Sequence, residues 1–133
     1  MTHISRKKLT PEIEKLIIKA LREVFINLKP KEVENILSGL ITKTEEVMLA
    51  KRLFTVIMLS EGTSYEEVAD SLNLTNQTIS RIHFEINGRP DVYKFLINKL
   101  KPWKRKELLK SVLKEVGLQG VKLFAKHAGG RIY

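Results

Sequence analysis

A run of four polar residues, Thr75 to Thr78, lies between apolar positions that are spaced for burial. The side-chain amides of Asn76 and Gln77 each carry a donor and an acceptor, which together match the N6 and N7 edge of adenine in a major groove. The threonine side chains on either side can reach phosphates or pack against thymine methyl groups. This set of side chains therefore predicts contact with double-stranded DNA.

The surrounding residues predict two short helices that cross at a tight turn. Ser64 followed by Glu67 is the pattern of a capping box at the start of a helix. Ala69 is small enough for two helix backbones to approach closely, and Asn73 tolerates the left-handed backbone of a turn. Thr75 is then the N-cap of the second helix, which makes the segment typical of a helix-turn-helix. The residues predicted to pack this segment against the core, here named the packing frame, are Leu72, Leu74, Ile79 and Ile82.

The candidate DNA-binding residues share an outward position on the second helix or at its cap. They are Thr75, Asn76, Gln77, Thr78, Ser80 and Arg81. We expect Asn76, Gln77 and Thr78 to contact base edges, and we expect Ser80 and Arg81 to contact phosphates. The alternative interpretation is a solvated helix face that binds no ligand.

Composition limits the class of protein and its partners. The 133 residues fit one domain, and 24 lysines and arginines against 15 acidic residues give a net charge of +9, which favours an anionic partner such as nucleic acid. The absence of cysteine excludes disulfides, thiolate zinc sites and cysteine nucleophiles. Neither a signal-peptide core nor an apolar run of membrane-spanning length is present, so we expect a cytoplasmic protein with no membrane partner.

Residues for catalysis or metal binding are not grouped in the sequence. His3, His83 and His127 are far apart, and none has a carboxylate at the spacing of a metal site. No glycine-rich phosphate loop and no nucleophile with a suitable partner is found. We therefore expect no enzyme activity, no catalytic residue and no metal.

Helical spacing of apolar residues predicts an all-α fold. A first helix is expected from about Pro11 to Leu28, with Pro30 as its stop and a shorter helix after it. The third helix should start at a cap on Thr42 or Thr44, and it is apolar on nearly every side. Such a helix must be buried on several sides, and in so small a chain a second subunit would supply part of the cover.

The stretch from Ile41 to Ile82, "ITKTEEVMLAKRLFTVIMLSEGTSYEEVADSLNLTNQTISRI", resembles the tryptophan-repressor family, and the likeness extends from about Leu9 to Leu100. The resemblance implies six helices, a helix-turn-helix and an intertwined homodimer. It divides the chain into a helix-turn-helix domain, residues 1–100, and an additional basic helical extension, residues 101–133. It also implies a sequence-specific, double-stranded-DNA-binding transcription regulator, most simply a repressor.

The family uses L-tryptophan as a co-repressor, and the resemblance places three residues of this chain around that ligand. Arg52 and Arg81 match the two arginines that flank the indole, and Thr42 matches a nearby threonine. Two departures are found: Ile82 replaces a glycine that leaves room for the indole, and Glu85 replaces a serine that meets the amino group. An isoleucine in that space would collide with the indole or take its place in the packing.

We therefore expect no L-tryptophan cofactor. The chain is expected to be either a regulator that needs no ligand or a sensor of a different small anion, with Thr42, Arg52, Arg81 and Glu85 as the possible effector pocket. The favoured roles are nevertheless structural for Arg52, as an ion pair with Glu45, Glu46 or another carboxylate, and a DNA phosphate contact for Arg81.

The C-terminal part from Lys99 to Tyr133 holds ten lysines and arginines against two glutamates. The favoured interpretation is a helix that packs on the body, with its charge either solvated or facing DNA. The other interpretation is an amphipathic helix on an anionic membrane, with Trp103 at the interface. The alternative function is accordingly a helical interaction module whose basic C-terminus binds an acidic protein, RNA or an anionic membrane surface. RNA is disfavoured because few aromatic side chains are expected to be exposed for stacking.

Overall fold

The computed structural model describes residues 8–126, with side chains described from 8 to 117. Within this range every regular element is an α-helix, so the all-α prediction is confirmed. The helices are α1 (Pro11–Val24), α2 (Pro30–Leu40), α3 (Lys43–Ser60), α4 (Tyr65–Leu72), α5 (Asn76–Gly88), α6 (Pro90–Ile97) and α7 (Pro102–Lys126). The chain forms two compact units, which divide between Glu46 and Val47 within α3.

The first unit shows the predicted start of α1 and corrects its end. Thr10 caps α1, because the Ile13 amide donates to Thr10 Oγ1 at 3.3 Å. The helix ends at Val24 instead of near Leu28, because Asn27 takes a left-handed backbone with φ of 58°. Pro30 is the first residue of α2 and does not act as the stop of α1, in keeping with the preference of proline for the first helical turn.

Helix α1 has a pronounced apolar face that remains exposed in the single chain. No residue of α1 or α2 is buried. The apolar side chains that share this face are between 44% and 66% exposed, and they are Ile13, Leu16, Ile17, Leu21 and Val24. A surface of this kind marks a site of association.

The core of the second unit consists of two clusters on either side of the C-terminal half of α3. Val56 packs with Ile82 and Tyr93 in one cluster, and Met58 packs with Val68 and Ile79 in the other. Burial in α3 is confined to Thr55, Val56, Ile57 and Met58. The expected burial of α3 on several sides is therefore found only in its C-terminal half, since Val47, Met48 and Leu49 are 42–52% exposed.

A reciprocal capping box fixes the start of α3. The Glu45 amide donates to Thr42 Oγ1 at 3.1 Å, and the Thr42 amide donates to Glu45 Oε1 at 2.8 Å. Thr42, not Thr44, is thus the cap. The backbone and side-chain hydrogen bonds from Thr42 lower the pKa of Glu45, because they favour its charged form.

Replacing Thr42 with alanine is expected to cost about 1 kcal/mol in the free energy of unfolding at neutral pH. Because the pKa of Glu45 is lower in the folded state, its stabilising interaction with Thr42 is fully present above the unfolded-state pKa and is lost as pH falls through the folded one. The difference between wild type and variant should therefore shrink in acid. Urea unfolding at neutral and acidic pH measures it, with Thr42→Ser as the control that retains the cap; an unchanged difference would contradict the pH dependence.

Candidate nucleic-acid interface

Helices α4 and α5 are joined by the tight turn that the sequence predicts. Ser64 Oγ accepts from the Glu67 amide at 3.2 Å at the start of α4. Asn73 ends α4 with a left-handed backbone, φ 54° and ψ 56°, and the Leu74 amide donates to the Ala69 carbonyl at 3.1 Å. These contacts confirm the predicted N-cap and turn, and they fix the angle at which α5 leaves α4. The Glu67 carboxylate accepts from the Ser64 hydroxyl at 3.4 Å instead of from the Ser64 amide, so only the N-cap half of the expected capping box is found.

The cap of α5 is also as predicted. The Thr78 amide donates to Thr75 Oγ1 at 3.2 Å, and the Thr75 hydroxyl donates to Thr78 Oγ1 at 3.0 Å. The two threonine hydroxyls thus satisfy each other at the first turn of α5. The Thr78 hydroxyl is therefore hydrogen-bonded within the first turn of α5, which the sequence alone did not indicate.

The apolar side of α5 is held by the core of the second unit. Ile79 is fully buried and Ile82 is 3% exposed. Leu72 and Leu74 pack against the cluster of Met58, Val68 and Ile79. The predicted packing frame of Leu72, Leu74, Ile79 and Ile82 is therefore confirmed.

The outward side of α5 carries the predicted DNA-binding residues. Thr75, Asn76, Gln77, Ser80 and Arg81 are exposed, whereas Thr78 is half-buried. Within the described residues, no side-chain hydrogen bond of the protein involves Asn76 or Gln77, and no ion pair involves Arg81. Two amides and one guanidinium at the start of a rigidly held helix are thus available to an external partner.

A contact that sequence analysis missed connects α4 to α5. The Tyr65 hydroxyl lies 2.6 Å from Nδ1 of His83, and the two rings meet edge to face with centroids 5.7 Å apart. This pair fixes the start of α4 against the middle of α5. His83 is thus part of the packing between the two helices.

A polar trio connects α3, α5 and α6. The Arg52 guanidinium forms a hydrogen-bonded ion pair with the Glu85 carboxylate. It also donates to the Tyr93 hydroxyl at 3.3 Å, and that hydroxyl donates to Glu85 at 3.2 Å. The bond to Tyr93 and the charge of Glu85 raise the pKa of Arg52, so that the guanidinium remains charged at any relevant pH. The expected ion pair of Arg52 is therefore present, and its partner is Glu85 instead of Glu45 or Glu46.

The family model described as Trp repressor protein matches residues 17–101 of the chain. The chain belongs to the Trp repressor family. This is a family of DNA-binding regulators of transcription and not a family of enzymes. The match includes α2 to α6 in full and stops at the start of α7. No curated protein and no solved structure matches the chain.

The four residues that the Trp repressor resemblance places around an effector do not have equivalent environments. Arg52 and Glu85 are joined in the polar trio, together with Tyr93, which the sequence did not single out. Arg81 points outward on α5. Thr42 belongs to the first unit, where its hydroxyl caps α3. No local signal could have revealed Tyr93, because 41 residues separate it from Arg52.

Three aromatic side chains are more exposed than the sequence suggested. Phe84 is 79% exposed, Phe95 is 66% exposed and Trp103 is 62% exposed. The expectation that few aromatic side chains would be exposed was therefore wrong for the single chain.

Among the described residues, no group of histidines and carboxylates could hold a metal ion. No described helix has the length and apolar character needed to cross a membrane.

Proposed function

We infer that this member of the Trp repressor family is a sequence-specific regulator of transcription that binds double-stranded DNA as a homodimer. Its helix-turn-helix is α4 and α5, it acts in the cytoplasm, and its action is most simply repression. Residues 1–100 form the DNA-binding domain, and residues 101–133 form a basic extension. The observation that carries the proposal is the exposed pair of amides, Asn76 and Gln77, at the capped start of a helix whose other side is buried.

Contact with bases requires side chains that protrude from a helix held at a fixed angle. The caps of Ser64 and Thr75 and the left-handed turn at Asn73 supply that angle. Asn76 and Gln77 then project from the end of α5 that enters a major groove in helix-turn-helix complexes. Thr78 adds its methyl group, while Ser80 and Arg81 contact phosphates beside the groove.

The proposed homodimer follows from apolar surface that the single chain leaves exposed. Such surface occurs in each unit by itself: on Leu16 and Ile17 of α1 in the first, and on Val47, Met48 and Leu49 of α3 in the second, each 42–66% exposed. A second copy is the simplest cover, because a two-fold axis lets the same surface of each subunit cover that of the other. Two recognition helices related by such an axis would contact half-sites about one helical turn of DNA apart.

The polar trio supports DNA binding that does not depend on L-tryptophan. Arg52 is already occupied by Glu85 and Tyr93. Ile82, which stands where the family has a glycine, is 3% exposed and packs against Val56 and Tyr93. The space and the charge that an indole amino acid would use are thus taken by side chains of the chain itself. A small anion at the exposed Arg81 is the remaining possibility for an effector.

L-Tryptophan is accordingly expected to change neither the melting temperature nor the DNA affinity. A ligand at a hundred times its Kd would stabilise the folded state by about 2.7 kcal/mol, which is easily measured as a rise in Tm. Differential scanning fluorimetry and DNA titration with and without L-tryptophan test this, with D-tryptophan as the control. A rise in Tm specific to the L-isomer would contradict the occupied-site interpretation.

The experiment that tests the proposed function compares partners at matched salt. A mobility shift with duplex DNA and co-sedimentation with anionic vesicles are run on the same protein sample. We expect a saturable DNA complex and little vesicle binding. Vesicle binding without a DNA complex would favour the second candidate, an interaction module, which the exposed lysines of α7 support.

A further inference from the structure

Helix α7 begins where the match to the family model ends, yet it packs as part of the second unit. Arg105 Nη1 donates to the carbonyl oxygens of Ile97, the last residue of α6, at 3.1 Å and of Leu100, just after that helix, at 2.5 Å. Arg105 Nε lies 3.8 Å from the Glu61 carboxylate at the end of α3. Leu109 packs against the cluster of Met58, Val68 and Ile79. These contacts hold α7 in a fixed position relative to α4 and α5.

The middle of α7 lies beside the C-terminal end of α4. Ser71 of α4 lines a shallow groove together with Ser111, Val112, Glu115 and Val116 of α7. Ser71 comes two residues before Asn73, the residue that turns the chain toward α5. The central turns of α7 therefore run next to the turn that precedes the DNA-facing end of α5.

Three lysines form a row along the outer side of α7. Lys106, Lys110 and Lys114 repeat every four residues and are all exposed. On a helix this spacing places them on one side, and the middle of the row lies about 120° round the helix axis from Arg105 and Leu109, which contact the body. None of the three forms an ion pair with a carboxylate of the described residues, whereas Lys104 lies 4.0 Å from Glu107. Lys106, Lys110 and Lys114, here named the lysine row, thus present uncompensated positive charge.

We propose that the lysine row is an accessory phosphate-binding surface. It binds the DNA backbone beside the base pairs that α5 contacts. This inference rests on the proposed function. In helix-turn-helix complexes the first helix crosses the DNA backbone, and α7 lies along the end of that helix. At a rise of about 1.5 Å per residue the row is roughly 12 Å long, which corresponds to three or four phosphates of one strand. The row adds affinity without sequence preference, because it contacts only phosphates.

The packing of α7 favours a nucleic-acid backbone over a membrane surface. A helix that lies on a membrane must turn its apolar residues toward the lipid. Here Leu109 packs into the second unit, and Leu108, Val112 and Val116 are half-buried. The outer side offers lysines, with Leu113 38% exposed among them and Trp103 62% exposed at the N-terminal end of the helix. Apart from these two side chains, the outward chemistry is a line of ammonium groups, which suits a line of phosphates.

The test compares two charge-matched variants of the full chain by fluorescence anisotropy over a series of salt concentrations. Lys106→Gln/Lys110→Gln/Lys114→Gln removes the row, and Lys15→Gln/Lys19→Gln/Lys31→Gln removes three exposed lysines of α1 and α2. The DNA is a duplex obtained by selection, with an unrelated duplex of equal length beside it. Circular dichroism verifies that both variants retain their helix content, as expected for exposed substitutions.

A plot of log affinity against log salt concentration has a negative slope, and removal of the lysine row is expected to make it less steep by about three units per bound subunit. Each lost phosphate contact contributes close to one unit of slope. Affinity for both duplexes should fall by the same factor, so that their ratio is unchanged, and the control should keep the wild-type slope. An unchanged slope, or an equal change in the control variant, overturns the inference about the lysine row. The proposed function is judged separately, since it stands as long as the wild-type protein discriminates between the selected duplex and the unrelated one. A loss of binding to anionic vesicles or to RNA, with DNA binding unaffected, also overturns it.

Discussion

Replacing both Asn76 and Gln77 with alanine is expected to remove most of the discrimination between the preferred DNA site and an unrelated duplex. A bidentate contact between such an amide and adenine contributes about 1–3 kcal/mol to discrimination, so the pair contributes roughly 2–6 kcal/mol, a factor of about thirty or more. Both side chains are exposed and make no hydrogen bond within the described part of the protein, so their removal leaves no buried group without a partner.

Titration of the double variant with both duplexes at one salt concentration measures the effect. Affinity for the unrelated duplex should change little, because phosphate contacts from Arg81 and other basic residues remain. Asn87→Ala is the matched control, since Asn87 is an exposed amide at the opposite end of α5. An equal loss of affinity on both duplexes would show that the two amides do not contact bases.

Polar substitution of the apolar face of α1 is expected to dissociate the proposed homodimer. Leu16 and Ile17 are 66% and 51% exposed in the single chain, and burying such a side chain completely contributes about 1.5–3 kcal/mol. Four such side chains lie in a symmetric dimer, so Leu16→Gln/Ile17→Gln should weaken association by several kcal/mol. DNA affinity should fall with it, because one subunit contacts only one half-site.

Sedimentation equilibrium measures the dimer directly, and circular dichroism reports whether the separated subunits keep their helices. Lys15→Gln/Arg22→Gln is the control, because these exposed cations lie on the opposite side of α1 from the apolar face. A wild-type protein that sediments as a monomer, or a double variant that remains dimeric, would contradict the role given to α1. Loss of helix content together with loss of the dimer would mean that the subunits depend on each other to fold.

Local features of the fold were predictable from sequence because each depends on a few neighbouring residues. The caps at Thr10, Ser64 and Thr75 and the left-handed turn at Asn73 follow from side-chain chemistry within a span of three residues. Pro30 was misjudged for the same reason, since proline suits both the end of one helix and the start of the next. The turn in which the Phe25 and Ile26 amides donate to the Arg22 and Glu23 carbonyls, followed by the left-handed backbone at Asn27, shows where α1 ends.

Contacts between distant residues were not predictable in this way. Arg52 and Glu85 are 33 residues apart, and the Tyr93 hydroxyl completes their trio from a third helix. The pairing depends on how α3, α5 and α6 cross, which no spacing rule within one helix specifies. The resemblance did indicate Arg52 and Glu85 among the four residues of a possible effector pocket, and Ile82 as the departure that bears on the ligand. The contacts of Arg52, Glu85 and Ile82 depend on the tertiary packing of the helices.

The position of α7 was also beyond the sequence. Its lysines were evident, and packing on the body was the favoured interpretation, but periodicity alone did not give the position of the helix. Arg105 binds the carbonyl oxygens of Ile97 and Leu100, and Leu109 packs against the core, so α7 lies on the second unit as expected. The side of α7 that remains outward then follows from helix geometry.

Selection of bound sequences from a random pool of duplex DNA tests the central proposal most directly. The full chain is mixed with the pool at moderate salt, and the retained duplexes are sequenced after several rounds. We expect enrichment of a two-fold-related motif whose half-sites lie about one helical turn apart, with adenines at the positions that Asn76 and Gln77 contact. A retained pool whose sequences remain as random as the starting pool would contradict it.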